Sequence, residues 1–161
     1  MEKVFGTEER HDALIRFDSD RAVLVYGYGE EDGMGYDYRH HFDHLPTEAE
    51  VLEVITTHVN GLTDRKILSG YVWNGVNVWL SSENQFNFKA AFDVAVLTNG
   101  TILPVRFKLG ETDNEPHYHV FETMEEFSDF YTNAIGFIQQ CLNEGWMEKD
   151  NAKEWVKALG I

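Results

Sequence analysis

The 161-residue chain has one cysteine, Cys141, three prolines, and only 13 basic residues against 28 acidic ones. A lone thiol excludes an intramolecular disulfide and a four-thiolate zinc site. The shortage of basic charge leaves a formal charge of −15. That charge repels phosphate backbones and anionic bilayer surfaces, so neither nucleic acid nor a membrane is expected as a partner. No apolar run approaches the ~20 residues that a membrane-spanning helix needs. The first ten residues hold no apolar stretch of the secretion-signal kind. Synthesis in the reducing cytoplasm is therefore expected, though a particle assembled there could carry the protein elsewhere.

Catalytic signatures are missing too. The chain has no HExxH, no GxSxG and no GxxxxGK[ST]. Gly27, Gly29, Gly33 and Gly35 have the wrong spacing for a phosphate loop, and no basic residue lies among them. Cys141 falls on an apolar helical stripe, which suits a small core residue better than a nucleophile.

What the chain does have is apolar and aromatic mass. Hydrophobic residues make up 43% and aromatic residues 14%, enough for a core rich in Phe, Tyr and Trp. No Pro/Ser-rich linker and no shift in composition divides the sequence. One domain over residues 1–161 is expected, with a hairpin and helix in 1–63 and further hairpins and helices in 64–161.

Ala13 to Phe17 and Arg21 to Tyr28 are rich in β-formers, and Gly29 to Gly33 reads as a turn. Tyr36, Tyr38, His40 and Phe42 alternate with Asp37, Arg39 and His41, the period of a returning strand with one buried face. Thr47 to Glu50 is a capping box that opens a helix carrying Leu52, Ile55, Val59 and Leu62, with Asn60-Gly61 as its exit. Asn74-Gly75 separates Ile67–Trp73 from Val76–Leu80, a strong hairpin signal because the two-residue turn needs positive φ twice.

Ser82 to Gln85 reads as a second capping box. Its helix carries Phe86, Ala90, Val94 and Leu97 on one side, widened by Phe88, Ala91, Phe92 and Ala95, as in a central helix that Asn99-Gly100 ends. Val105 to Leu109 and His117 to Phe121 form a third hairpin around a polar loop, Gly110 to Pro116. A third box at Thr123 opens a long helix with Gly145 as its C-cap, and a short helix over Asn151 to Leu159 follows. The expected class is α+β: an antiparallel sheet of β-hairpins packed against amphipathic helices, hairpin then helix three times, plus the short C-terminal helix.

Three groups of side chains are candidates for function. His117 and His119 lie two apart on a strand, so both point to one face and could share a metal with a third ligand from elsewhere, such as His40, His41 or His44. Trp73 and Trp79 flank the hairpin turn, either as cross-strand core partners or as exposed binding anchors. Glu83, Asn84, Gln85 and Asn87 gather amides and a carboxylate in the first turns of a helix. Such groups serve either to recognise a peptide or glycan, or to cap the helix and bind the preceding hairpin.

Ile67-Leu68-Ser69-Gly70-Tyr71-Val72-Trp73-Asn74-Gly75 and Trp79-Leu80-Ser81-Ser82-Glu83-Asn84-Gln85-Phe86-Asn87 carry a family pattern: a glycine-bearing hairpin, then a polar E-x-Q-x-N helix start. With Leu103 to Lys108 and Phe121-Glu122-Thr123, this order resembles the domain of unknown function 4376 family of phage and prophage tail-associated proteins, in its Bacteroides-type version. The resemblance spans roughly residues 64–150 and leaves the first ~60 uncovered. It carries no catalytic residues. It implies a role in a virion, a tail fibre or tail assembly.

The reading that joins these observations is a non-enzymatic phage or prophage accessory protein, a tail component or tail-fibre assembly factor. It would bind another tail protein without a cofactor, and self-association is expected if the role is structural. Two other classes stand beside it: a metal-dependent enzyme using His117 and His119, and an inhibitor whose acidic surface imitates nucleic acid.

Overall fold

The computed structural model describes residues 1–18, 20–112 and 115–161. It is an α+β structure with antiparallel sheets. The chain divides into two compact units, one formed by Met1–Gly61 with Trp146–Ile161 and the other by Leu62–Gly145. Each has its own core.

In the first unit, strands β1 (Glu2–Phe5), β2 (Ala13–Arg16), β3 (Ala22–Glu31) and β4 (Met34–Phe42) form one antiparallel sheet in the order β1-β4-β3-β2. The β3–β4 turn is narrower than the glycines suggest. It is Asp32-Gly33 alone, with φ of 52° and 75°, and Glu31 pairs with Met34. Both positions accept the left-handed conformation that a two-residue turn requires. Helix α1 (Glu48–Ser69) begins at the expected box: the Glu50 N–H donates to the Thr47 hydroxyl, and the Thr47 N–H donates to the Glu50 carboxylate at 2.8 Å. Leu24, Tyr26, Phe42, Val51, Ile55 and Val59 form the core with Ala152 and Val156. Glu148 accepts from Tyr26 and from Arg10, both at 2.6 Å, which ties a helix to the sheet beneath it.

Asp37 departs from the alternation that assigned it to a polar face. It is buried, with Arg39 donating to both carboxylate oxygens and the Thr7 hydroxyl donating at 2.6 Å. Burial pushes its pKa up, but the bonds from Arg39 and Thr7 together outweigh this and hold it below the ordinary carboxylate value.

In the second unit, β5 (Tyr71–Trp73) pairs with β6 (Val76–Val78), and β7 (Val105–Thr112) pairs with β8 (Glu115–Phe121). The expected Gly110–Pro116 loop is therefore largely strand, and its centre, 113–114, lies outside the described residues. Helix α2 (Ser82–Leu97) and helix α3 (Met124–Leu159) supply the helical layer. The core is aromatic: Tyr71, Trp73, Phe88, Phe121, Phe127 and Phe130, with Leu80 and Leu109 filling between rings. Phe121 and Phe127 stack at 4.7 Å, and Phe88 meets Phe130 edge-on at 5.1 Å.

Three sequence expectations give way here. Asn60-Gly61 does not end α1, which runs to Ser69. Burial of Val59 before this pair and packing of Ile67 after it outweigh the ~1 kcal/mol helix penalty of glycine. Gly145 does not end α3, and the separate C-terminal helix is its continuation, 36 residues in all. Gly145 is buried where a Cβ would come within 2.5 Å of the Thr63 hydroxyl, so its small size serves close approach. Finally, α2 is not enclosed. It buries Phe88 and Ala95, while Phe86, Val94 and Leu97 face outward. A helix apolar on several sides carries no phase by which periodicity could choose the buried one.

Candidate functional site

The candidate site lies in the second unit, where the β5–β6 hairpin runs into α2. Asn74 and Gly75 have φ of 49° and 80°, so the turn has two residues and fixes the pairing Tyr71↔Val78 and Trp73↔Val76. Cross-strand partners share a sheet face. Tyr71, Trp73 and Val78 therefore point into the core, and Trp79, one step further, points away from it. Trp73 is 5% exposed and Trp79 is 49% exposed. The two tryptophans are thus not cross-strand partners.

Trp79 is held by its backbone. Its N–H donates to the Leu109 carbonyl at 2.7 Å, and the Asn84 side-chain amide donates to the Trp79 carbonyl at 2.7 Å. The β7–β8 register shifts between Lys108 and Gly110, leaving Leu109 as an extra, fully buried residue. Gly110 follows because a Cβ there would overlap the Asn77 carbonyl oxygen. This bulge lets the two hairpins approach.

Between them opens a cleft of about 550 Å³, walled by Trp79, Asn77, Ser69, Lys108, Leu109 and Gly110 and closed at the α2 end by Ser81, Glu83 and Asn84. Its rim carries opposite charges. Lys108 bonds Glu111 at 2.7 Å, and that bond raises the ammonium pKa. The arrangement offers a large aromatic face, a polar mouth and mixed charge. It suits binding of a chain segment, with an apolar group against the Trp79 ring.

The cleft gathers Trp79, Glu83 and Asn84, but not Trp73, Gln85 or Asn87. The N-cap of α2 is Ser81, one residue earlier than the sequence pattern suggests, and its hydroxyl accepts from the Asn84 N–H. Gln85 consequently turns back and donates to the Leu80 carbonyl at 2.7 Å, the capping role weighed for these amides. Asn87 is exposed on α2. Trp73 donates to Asp129 at 3.0 Å and borders a second, acidic hollow with Glu122, Glu125 and Glu126. Ser69, Lys108 and Glu111 were not foreseen. They come from α1 and β7, and only Gly110, a glycine after an alternating strand, carried a local sign of the bulge.

His119 has a packing position. Its Nε2 lies 2.8 Å from a Glu126 carboxylate oxygen, and its ring meets Trp73 at 5.0 Å and Phe121 at 4.6 Å. His117 pairs with Gly110 across the hairpin. Among the described residues, no group of three or more His, Cys, Asp or Glu side chains is placed to hold a metal ion. Cys141 is buried, and burial pushes its thiol pKa up. Among the described residues, no helix is long and apolar enough to cross a membrane. No family model, curated protein or solved structure matches the chain.

Proposed function

We propose that this protein is a non-enzymatic phage or prophage accessory protein, a tail component or tail-fibre assembly factor that works by binding a segment of another protein in the Trp79 cleft. The observation that carries the reading is a half-exposed tryptophan in the cleft between the hairpins, its backbone N–H bonded to the Leu109 carbonyl and its carbonyl to the Asn84 side-chain amide. An aromatic anchor fixed in place loses little conformational freedom on contact, which is the property of binding hot spots. Asn77, Ser81 and Glu83 around the ring can meet the N–H and C=O groups of an extended chain. The formal charge of −15 favours a partner with basic residues near that segment. The tail context rests on the resemblance over residues 64–150.

The test is affinity capture from phage-infected or induced lysogenic cells, using the wild-type chain and Trp79→Ala side by side. Tail proteins retained by the wild type and lost with the variant support the reading. Recovery of no tail protein by the wild type, or equal recovery by both, overturns it.

A further inference from the structure

The outer face of α2 points to a second, independent contact surface. Phe86, Ala90, Val94 and Leu97 follow one another at helical spacing and form a stripe on the side opposite Phe88 and Ala95. All four are exposed, Phe86 at 70% and Leu97 at 81%. A row of large apolar side chains standing in water is unfavourable unless something covers it.

We infer that the stripe is covered by the same stripe of a second copy of this chain, the two α2 helices lying antiparallel about a twofold axis. The order of sizes is self-complementary. Turned end for end, Phe86 of one helix faces Leu97 of the other, and the small Ala90 near the centre lets the helices approach. The charges agree with this direction. Lys89 and Asp93 border the stripe on one side, paired within the helix by a salt bridge. In an antiparallel pair, like borders meet, so Lys89 of each copy faces Asp93 of the other. In a parallel pair, this border would meet the one bearing Asn87 and Ala91, which carry no charge, and the match is lost. Antiparallel packing also sets the positive N-terminal end of one helix beside the negative C-terminal end of the other. A face of 16 residues, about 24 Å long, is small for a permanent interface, so the association is weak and concentration-dependent.

Sedimentation equilibrium of the full chain from micromolar to millimolar concentration tests the inference. The wild type forms dimers, and Phe86→Asp with Leu97→Asp removes them while circular dichroism stays unchanged. The charge variants then fix the direction. Lys89→Asp alone and Asp93→Lys alone each weaken self-association by about tenfold or more through like-charge contact, and mixing the two restores dimers as a mixed pair. A folded wild type that stays monomeric throughout overturns the inference. Dimers indifferent to Phe86→Asp with Leu97→Asp, or charge variants that fail to rescue one another, overturn it equally. A different protein bound to this face, with no self-association, has the same consequence.

Discussion

The Trp79 backbone N–H donates to the Leu109 carbonyl at 2.7 Å, joining the end of one hairpin to the bulge of the next. This bond makes the cleft a property of the fold and not of a loop. The hydrogen bond uses backbone atoms only, so the Trp79 ring stays available while its base is fixed.

Trp73 and Trp79 are therefore expected to respond oppositely to truncation. Trp73→Ala empties space among His119, Phe121 and Phe130 and leaves Asp129 without its indole donor. The cost should be about 3–5 kcal/mol. Trp79→Ala should change stability by no more than about 0.5 kcal/mol. Thermal melts of both variants check this, and acrylamide quenching should fall on removal of Trp79 and not on removal of Trp73. Similar melting temperatures for the two would contradict the assignment of their faces.

Gly110 leaves no room for an added atom. A Cβ there overlaps the Asn77 carbonyl oxygen, and the overlap is with backbone. Gly110→Ala should cost about 1–3 kcal/mol, as overpacking does, and should shift Trp79 fluorescence because the two hairpins must separate. Chemical denaturation with tryptophan emission as the probe measures both effects.

The same cleft shows where sequence reading succeeds and stops. Asn74-Gly75 fixed the hairpin because positive φ at both turn residues is a local demand. The orientation of Trp79 was implicit in it: a two-residue turn pairs 73 with 76, which places 79 on the far face. Ser69 and Lys108 could not be found this way, since their approach to Trp79 depends on how separate elements pack. Asn60-Gly61 and Gly145 misled for a related reason. A glycine that caps a helix and one that admits a neighbour look alike until the neighbour is known.

Acid should weaken the first unit in a defined way. The Thr47 N–H and hydroxyl, with His44, hold the Glu50 carboxyl down at about 2 against an ordinary 4.5. A carboxyl lowered by folding stabilises above its ordinary value, and this is lost as pH falls through the folded value. Asp37 is lowered in the same direction by Arg39 and Thr7 against the upward push of burial. Melting temperature should therefore fall as pH drops from about 4.5 towards 2, and Glu50→Gln should reduce the fall. His44 acts with the opposite sign: Asp43 and Glu50 raise it above its ordinary 6.5. Its contribution is full below 6.5 and is lost as pH rises through the raised value, so His44→Gln should flatten that limb. Melts of the two variants from pH 2 to 9 would reveal a wrong sign in either case.

Gly145 and Thr63 form the pair most suited to a double-mutant cycle. Alanine in place of a helical glycine ordinarily gains up to about 1 kcal/mol from backbone propensity. Here the new Cβ would stand 2.5 Å from the Thr63 hydroxyl, with the Thr63 methyl and Cβ close behind at 3.5 Å. A β-branched side chain in a helix has few rotamers by which to retreat. Gly145→Ala should thus destabilise the wild type. In a Thr63→Ala background the obstruction is gone, and the same substitution should be neutral or stabilising. The coupling expected between the two sites is about 1 kcal/mol or more. Chemical denaturation of the four proteins measures it. If Gly145→Ala stabilised both backgrounds alike, glycine there would owe nothing to the approach of α1, and its burial would need another cause.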